Sequence, residues 1–223
     1  MTTTEWDDVD GYIVETLVQD ADTDAALRAN AAANLPAIDV SPPQGKFLYL
    51  LARTARARRV LEIGTLGGYS TIWLARAVGE KGKVVTLEFE PRHAEVARKN
   101  LDNAGVGERV DIRVGPALDT LPQLTDDDPF DLVFIDADKV NNSNYIQWAL
   151  RLTRPGSTII VDNIVRKGGL ADATSQDEMI RASRAAVELL AAEPTLDATV
   201  VQTVGTKGWD GFAYAVVNGE PTD

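Results

Sequence analysis

Two rhythms of apolar residues alternate along the chain. Short runs at 60–63 (VLEI), 83–88 (KVVTLE), 110–115 (VDIRVG), 132–135 (LVFI) and 157–161 (STIIV) are β-branched or uniformly apolar, the mark of strands in a buried parallel sheet. Between them, mostly apolar positions recur at helical spacing: Ile72, Trp73 and Leu74; Val96, Ala97, Asn100 and Leu101; Leu118 and Leu121; Tyr145, Ile146 and Trp148; and Met179, Ile180, Val187 and Leu190. Pro91 opens one of these helices and Gly105 closes it, while Pro155 and Gly156 end another before a strand at Ser157. The last stretch, 196–217, has two alternating runs joined through glycines and reads as a β-hairpin. Strands alternating with helices predict an α/β fold: a doubly wound, mostly parallel seven-stranded sheet with helices on both faces, finished by an antiparallel hairpin.

Ahead of this pattern, Glu5 to Leu35 is alanine-rich and helical, with Tyr12, Ile13, Thr16 and Leu17 on one stripe and Ala25, Leu27 and Ala31 on another. Pro36, Pro42 and Pro43 then punctuate a loop before a helix over 44–55 carrying Phe47, Leu48, Leu50 and Leu51. Residues 1–55 are expected to form a helical cap and 56–223 the α/β core of one domain, since a chain of 223 residues is too short for two comfortable ones.

The stretch 59–75, RVLEIGTLGGYSTIWLA, joins a strand to a helix through glycines, with the spacing Glu-x-Gly-x-x-Gly-Gly. Glycine lets a ligand approach the backbone closely, so a small molecule at the carboxyl end of this strand is expected. The spacing is not the dinucleotide fingerprint, which has a third glycine three residues after the second and no acid in front. Glu62 instead favours a cationic or hydroxylated ligand, and Glu88, ending the next strand, stands where an acid takes the hydroxyls of a ribose. His93 reads as a surface histidine, and Asp126, Asp127, Asp128 and Pro129 as a solvated loop.

Composition narrows the chemistry. A net charge of −12 argues against nucleic acid as a partner. With no cysteine and one histidine, neither thiolate nor imidazole metal sites are expected, so any metal must be held by oxygen. No segment approaches the apolar length of a membrane span and the start, MTTTEWDDVDGY, is acidic where a signal peptide is basic, so no membrane partner and a cytoplasmic location are expected.

In a parallel sheet all carboxyl strand ends face one edge, which should gather Glu62, Glu88, Asp136, Asp138, Asp162 and Asn163 with Lys139 among them. Five crowded carboxylates repel one another unless a cation intervenes. Asp136, Asp162 and the amide oxygen of Asn163 make a hard-oxygen half-shell suited to Mg²⁺, or to Mn²⁺ or Ca²⁺.

With these residues in view, the chain resembles the cation-dependent O-methyltransferases of the caffeoyl-CoA and catechol type, which use S-adenosylmethionine. The resemblance is carried by SPPQGKFL, LEIGTLGGYS, TLEFEP, VGPALDTLP, FDLVFIDADK, IIVDN and WDGFA, in this order over nearly the whole chain after the first helix. It implies a class I, Rossmann-like methyltransferase acting on a small aromatic that bears vicinal hydroxyls. It also implies a cofactor site at Val40, Glu62, Gly64, Thr65, Ser70, Glu88, Ala117, Asp136 and Asp138, with Glu88 on the ribose and Ala117 at the adenine. The metal ligands implied are Asp136, Asp162 and Asn163, the base near the attacking hydroxyl is Lys139, and the assembly is a homodimer. The chain departs from the family pattern at Arg166 and Lys167 and at Trp209, in two segments expected to line the acceptor pocket. On topology alone an NAD-dependent oxidoreductase is the second reading, and a non-catalytic module binding S-adenosylmethionine or a metal is the third.

Overall fold

The computed structural model describes residues 3–125 and 128–219. Met1 and Thr2 of the acidic start, and Asp126 and Asp127 of the expected acidic loop, lie outside the described residues. Strands β1 (Arg59–Ile63), β2 (Lys83–Glu88), β3 (Val110–Val114), β4 (Phe130–Ile135) and β5 (Thr153–Val161) run parallel, and β6 (Leu196–Thr203) and β7 (Asp210–Val217) form the hairpin. The order across the sheet is β3-β2-β1-β4-β5-β7-β6, with β7 antiparallel to β5. The helices are α1 (Thr3–Ile13), α2 (Ala21–Ala32), α3 (Pro42–Thr54), α4 (Tyr69–Val78), α5 (Pro91–Asn103), α6 (Ala117–Thr120), α7 (Asn142–Leu152) and α8 (Glu178–Ala192).

Because successive strand residues point to opposite faces, the central strands feed two cores. Val60, Leu132, Phe134 and Ile160 pack with Leu48, Ile72, Trp73 and Leu101 of α3, α4 and α5. Leu61, Ile63, Val133, Ile135 and Ile159 pack with Ile146, Ala149, Ala186 and Leu190 of α7 and α8. Each such fully buried aliphatic side chain contributes roughly 1.5–3 kcal/mol, which is why uniformly apolar strands were the strongest signal in the sequence.

Three local expectations are corrected. The N-terminal pattern is not one helix: α1 widens into a π-type turn at Val14–Val18, and α2 restarts after Asp20, whose carboxylate accepts from the Thr23 N–H at 3.0 Å. The stripes also fall differently. Tyr12 and Leu17 are each 70% exposed, and α2 buries Thr23, Ala26 and Asn30 rather than Ala25 and Ala31. Alanine gives too little contrast in an amphipathic pattern, and a buried asparagine looks polar in sequence. Finally, Pro155 and Gly156 lie inside β5, where the pairing with β4 shifts register between Phe130 and Leu132 and Gly156 has φ 90°. Among the described residues no helix is long and apolar enough to cross a membrane.

Candidate active site

The strand order reverses between β1 and β4, and at that switch point a cavity of about 760 Å³ opens beyond the carboxyl ends of the strands. Of the residues expected in the cofactor site, Val40, Gly64, Thr65, Ser70, Glu88, Ala117, Asp136 and Asp138 all line it, as do Lys139 and Asn163.

Glu62 does not. It lies within β1, fully buried, and points at α4 rather than at the sheet edge. Ser70 Oγ donates to its Oε1 at 2.6 Å, while Thr71 Oγ1 and Thr86 Oγ1 donate to its Oε2 at 2.5 and 2.6 Å. Thr65 Oγ1 is 2.6 Å from Thr86 Oγ1, so the carboxylate underlies two cavity-lining hydroxyls, Ser70 and Thr65. Burial pushes the Glu62 carboxyl up to about 7, against the pull of the three hydroxyls.

The glycine turn serves protein contacts that the sequence assigned to a ligand. A Cβ on Gly64, at φ 101°, would lie 2.1 Å from the Asp136 carbonyl oxygen, so β1 and β4 leave the sheet closer together than a side chain permits. A Cβ on Gly67 would meet Asn30 Oδ1 at 1.9 Å. Asn30 accepts from Asn100 Nδ2 at 2.9 Å and donates to Asp39 Oδ1 at 2.8 Å, and Asn100 Nδ2 also donates to the Gly67 carbonyl at 2.8 Å. These two buried amides therefore tie the turn to the segment carrying Ile38, Asp39 and Val40 on the cavity wall. Asn30 carried no signal in the sequence, whereas Asn100 stands on the stripe of α5 that the helical spacing turned inward, with nothing to say what it would bond.

Glu88 is the hub of the opposite wall. Its Oε2 accepts from the N–H groups of Thr65 and Leu66 at 3.1 and 2.8 Å, and its Oε1 from the Glu90 N–H at 2.9 Å, with His93 Nδ1 3.2 Å away. His93, expected on the surface, is half-buried and lines the cavity, because the first turn of α5 sets it beside Glu88 at the end of β2. It is the one side chain among the four partners of Glu88, hence the one a ligand hydroxyl can replace without undoing the turn.

The third wall comes from the ends of β4 and β5. The Asp136 N–H bonds the Ile63 carbonyl at 2.8 Å and the Asp162 N–H the Ile135 carbonyl at 2.9 Å, so the two aspartates follow adjacent strands at matching levels. Lys139 Nζ donates to Asp136 Oδ1 at 2.8 Å with only 8% of the residue exposed. Asp162 lies just behind the cavity lining, its Oδ1 accepting from the Asn163 N–H at 2.8 Å. Burial and then the negative charge of Asp136 push its carboxyl up to about 7, while Lys139, the Asn163 N–H and the Gln44 side chain of α3 pull it down. Gln44 was read as the start of a helix and as part of the SPPQGKFL string, with no contact assigned to it; the fold turns it toward Asp162.

The predicted crowd of five carboxylates is not what forms. Glu62 is interior, Glu88 Oε2 is taken up by two N–H groups of the turn, and Asp138 accepts from Tyr145 Oη and Asn141 Nδ2, both at 2.5 Å. The buried Tyr145 hydroxyl is correspondingly held neutral, its pKa raised by burial and by Asp138. Among the described residues no three His, Cys, Asp or Glu side chains are grouped to hold a metal. What remains is two aspartates and one amide, and this set fits a hard divalent ion: all donors are oxygen, and two adjacent carboxylates repel each other in a way that a cation relieves.

Arg166, Lys167 and Trp209 stand apart from the cavity lining, contrary to expectation. Asp210 Oδ1 gathers the Val165 and Arg166 N–H groups, turning the loop toward the hairpin, and Trp209 Nε1 bonds Gln202 Oε1 at 3.0 Å.

Comparison with known proteins agrees with this geometry. The family model described as O-methyltransferase matches residues 15–207. A catechol O-methyltransferase of Mycobacterium tuberculosis is 61% identical over 211 residues, spanning 94% of this chain and 95% of that protein. A catechol O-methyltransferase of Niastella koreensis is 48% identical over 215 residues, spanning 95% and 97%. The crystal structure of an O-methyltransferase from Bacillus cereus in complex with SAH superposes with a TM-score of 0.95 at 53% identity, covering 97% of this chain and 100% of that one. Sheet, switch-point cavity and sequence thus converge, and this chain belongs to the O-methyltransferase family.

Proposed function

We propose that the protein transfers a methyl group from S-adenosylmethionine to one hydroxyl of a vicinal-dihydroxy aromatic, catechol-like or caffeoyl-type, with a divalent cation held by Asp136, Asp162 and Asn163. The observation that carries this reading is the joint lining of one cavity by a glycine turn and Glu88 on one side and by Asp136, Lys139 and Asn163 on the other. Nicotinamide chemistry and a purely binding role lose their footing with the O-methyltransferase match. On this reading Glu88 receives the ribose hydroxyls and Ala117 flanks the adenine. Val40, Gly64, Thr65, Ser70 and Asp138 take the rest of the donor, and Glu62 acts from behind by fixing the Ser70 hydroxyl.

A bound divalent ion supplies Lewis-acid stabilisation of a phenolate and a template for two vicinal oxygens, with Mg²⁺, Mn²⁺ and Ca²⁺ all compatible with the donors. The chain's own part is alignment and proton transfer. The acceptor oxygen must meet the sulfonium methyl in line, so the two walls have to hold donor and acceptor within one cavity. As the new C–O bond forms, the C–S bond breaks with its electron pair staying on sulfur, and the hydroxyl proton passes to the Lys139 amine, which must first have given its ammonium proton to solvent. Asp136 Oδ1, the hydrogen-bond partner of Lys139, would be shared with a bound cation, which would loosen its hold on Lys139.

The test is transfer of labelled methyl from S-adenosylmethionine to catechol or caffeic acid, first with Mg²⁺ and then with chelator. Asp162→Ala should lose metal-dependent turnover by about 100-fold or more while binding the donor as before. Chelator-insensitive transfer would refute the cation, and joint loss of donor binding would refute the ligand assignment. A homodimer and a cytoplasmic location belong to the same reading. The dimer is supported by the exposed apolar residues Val9, Tyr12, Leu17, Phe47 and Leu50 of the N-terminal helices, and light scattering and cell fractionation would check the two.

A further inference from the structure

The segment that follows Asn163 runs against backbone preference. Asn163, Arg166 and Lys167 have φ of 55°, 53° and 53°, so three residues with side chains occupy the left-handed region within five positions. Asparagine tolerates it, but arginine and lysine do so only where the surroundings enforce it. Such strain gathers where a functional group must be held in one place.

The enforcing group is Asp210, the first residue of β7. Its Oδ1 accepts from the N–H of Val165 at 3.1 Å, of Arg166 at 2.9 Å and of Gly211 at 3.0 Å. The Ile164 N–H donates to the Gly211 carbonyl at 2.9 Å. A Cβ on Gly211 would lie 2.3 Å from the Val201 carbonyl oxygen and 2.6 Å from Val165 Cγ2, so only glycine allows the loop to press this closely on the hairpin. Trp209 closes the outer side: a Cβ on Gly168 would meet its Cη2 at 2.5 Å. Asn163 is thus suspended between two fixed points. On one side Asp162 is bonded to the end of β4, and on the other the buried pair Ile164 and Val165 is bonded to Asp210 and Gly211.

We infer that Asp210 is a positioning residue for the cation site: through the backbone of residues 164–166 it aims Asn163 into the cavity and so sets the affinity of the Asp136, Asp162 and Asn163 set for a divalent ion. This rests on the metal reading of the preceding section. It gives the Trp209-Asp210-Gly211 triplet a task distinct from contact with the acceptor, since one carboxylate oxygen does for this loop what a preformed turn does elsewhere.

The experiment measures Mn²⁺ binding by electron paramagnetic resonance and SAH binding by calorimetry on the same preparations. Asp210→Ala should weaken Mn²⁺ by about tenfold, the effect of removing an outer partner of a metal ligand, and leave SAH affinity unchanged. Asp210→Asn keeps a carbonyl oxygen facing the three N–H groups and should restore Mn²⁺ affinity to within about threefold of the wild type. A residue that merely stabilises the fold would move SAH and Mn²⁺ together and would not separate them. Should Asp210→Ala fail to fold, the same substitution is made on an Arg166→Gly, Lys167→Gly background, where glycine relieves the strain. Mn²⁺ should still be about tenfold weaker than in the glycine parent. Unchanged Mn²⁺ affinity in either Ala variant overturns the inference, whereas a wild type that binds no Mn²⁺ overturns the metal reading on which it stands.

Discussion

Glutamine at position 62 is the most informative single change, because Glu62 is a fully buried carboxyl that no solvent reaches. Burial raises it from the ordinary 4.5 to about 7, which at about 1.4 kcal/mol per pH unit corresponds to about 3 kcal/mol. The sign follows from which state holds the proton. Between pH 4.5 and 7 the unfolded chain has released it and the folded chain has not, so stability falls as pH rises through this window and levels off above it. Asp162, also raised to about 7, adds a slope of the same sign. Asp20, held down by its hydrogen bonds to Arg76 and Thr23 in spite of partial burial, adds one of opposite sign at lower pH. The comparison of wild type with Glu62→Gln cancels both. Urea unfolding at pH 5, 6, 7 and 8 should show the wild type losing stability relative to the variant by about 2–3 kcal/mol across the range, with most of the change complete by pH 7.5. The glutamine carbonyl accepts from one of the three hydroxyls, and the others can rotate to receive its amide. A constant offset between the two proteins is therefore allowed. Parallel pH profiles would refute the reasoning, for they would mean that Glu62 is ionised in the folded state as readily as in the unfolded one.

Two further outcomes follow from the cavity walls. Lys139→Met should lower kcat by about 10²–10⁴-fold with little change in the KM for S-adenosylmethionine, since Lys139 touches Asp136 and not the Glu88 wall; an equal loss in donor binding would contradict a proton-accepting role. His93 is the only histidine, so its C2 proton gives one assignable resonance. Saturating SAH should shift it as Glu88 Oε1 exchanges partners, and a resonance indifferent to SAH would remove Glu88 and His93 from the nucleoside site.

What could be read ahead of the structure depended on how local the governing physics is. Apolar strands and helical spacing depend on neighbours a few residues apart, so the sheet, the hairpin and the glycine turn were legible. So was the position of residues that directly follow a strand: once Ile135 and Val161 are paired in parallel, Asp136 and Asp162 have to emerge side by side. Glu62 fell outside that logic, because the residue that directly follows β1 is Gly64. Glu62 precedes the end of β1, and the strand's alternation turns it to the α4 face among Ser70, Thr71 and Thr86 instead of to the rim.

The sequence by itself thus determined the fold and which strand ends would share a cavity, because burial patterns and βαβ handedness leave few alternatives, while the family was legible only through the resemblance of its motifs. Only the tertiary structure decided which polar groups look at the ligand and which look at one another. The Asn30 and Asn100 amides, Gln44, His93 and Asp210 reach their partners across 70, 118, 5 and 45 positions of chain or fewer. A long-range hydrogen bond is satisfied by whatever donor the packing brings near, and spacing along the chain encodes only the neighbours a few residues away, such as the Asp20 cap on Thr23.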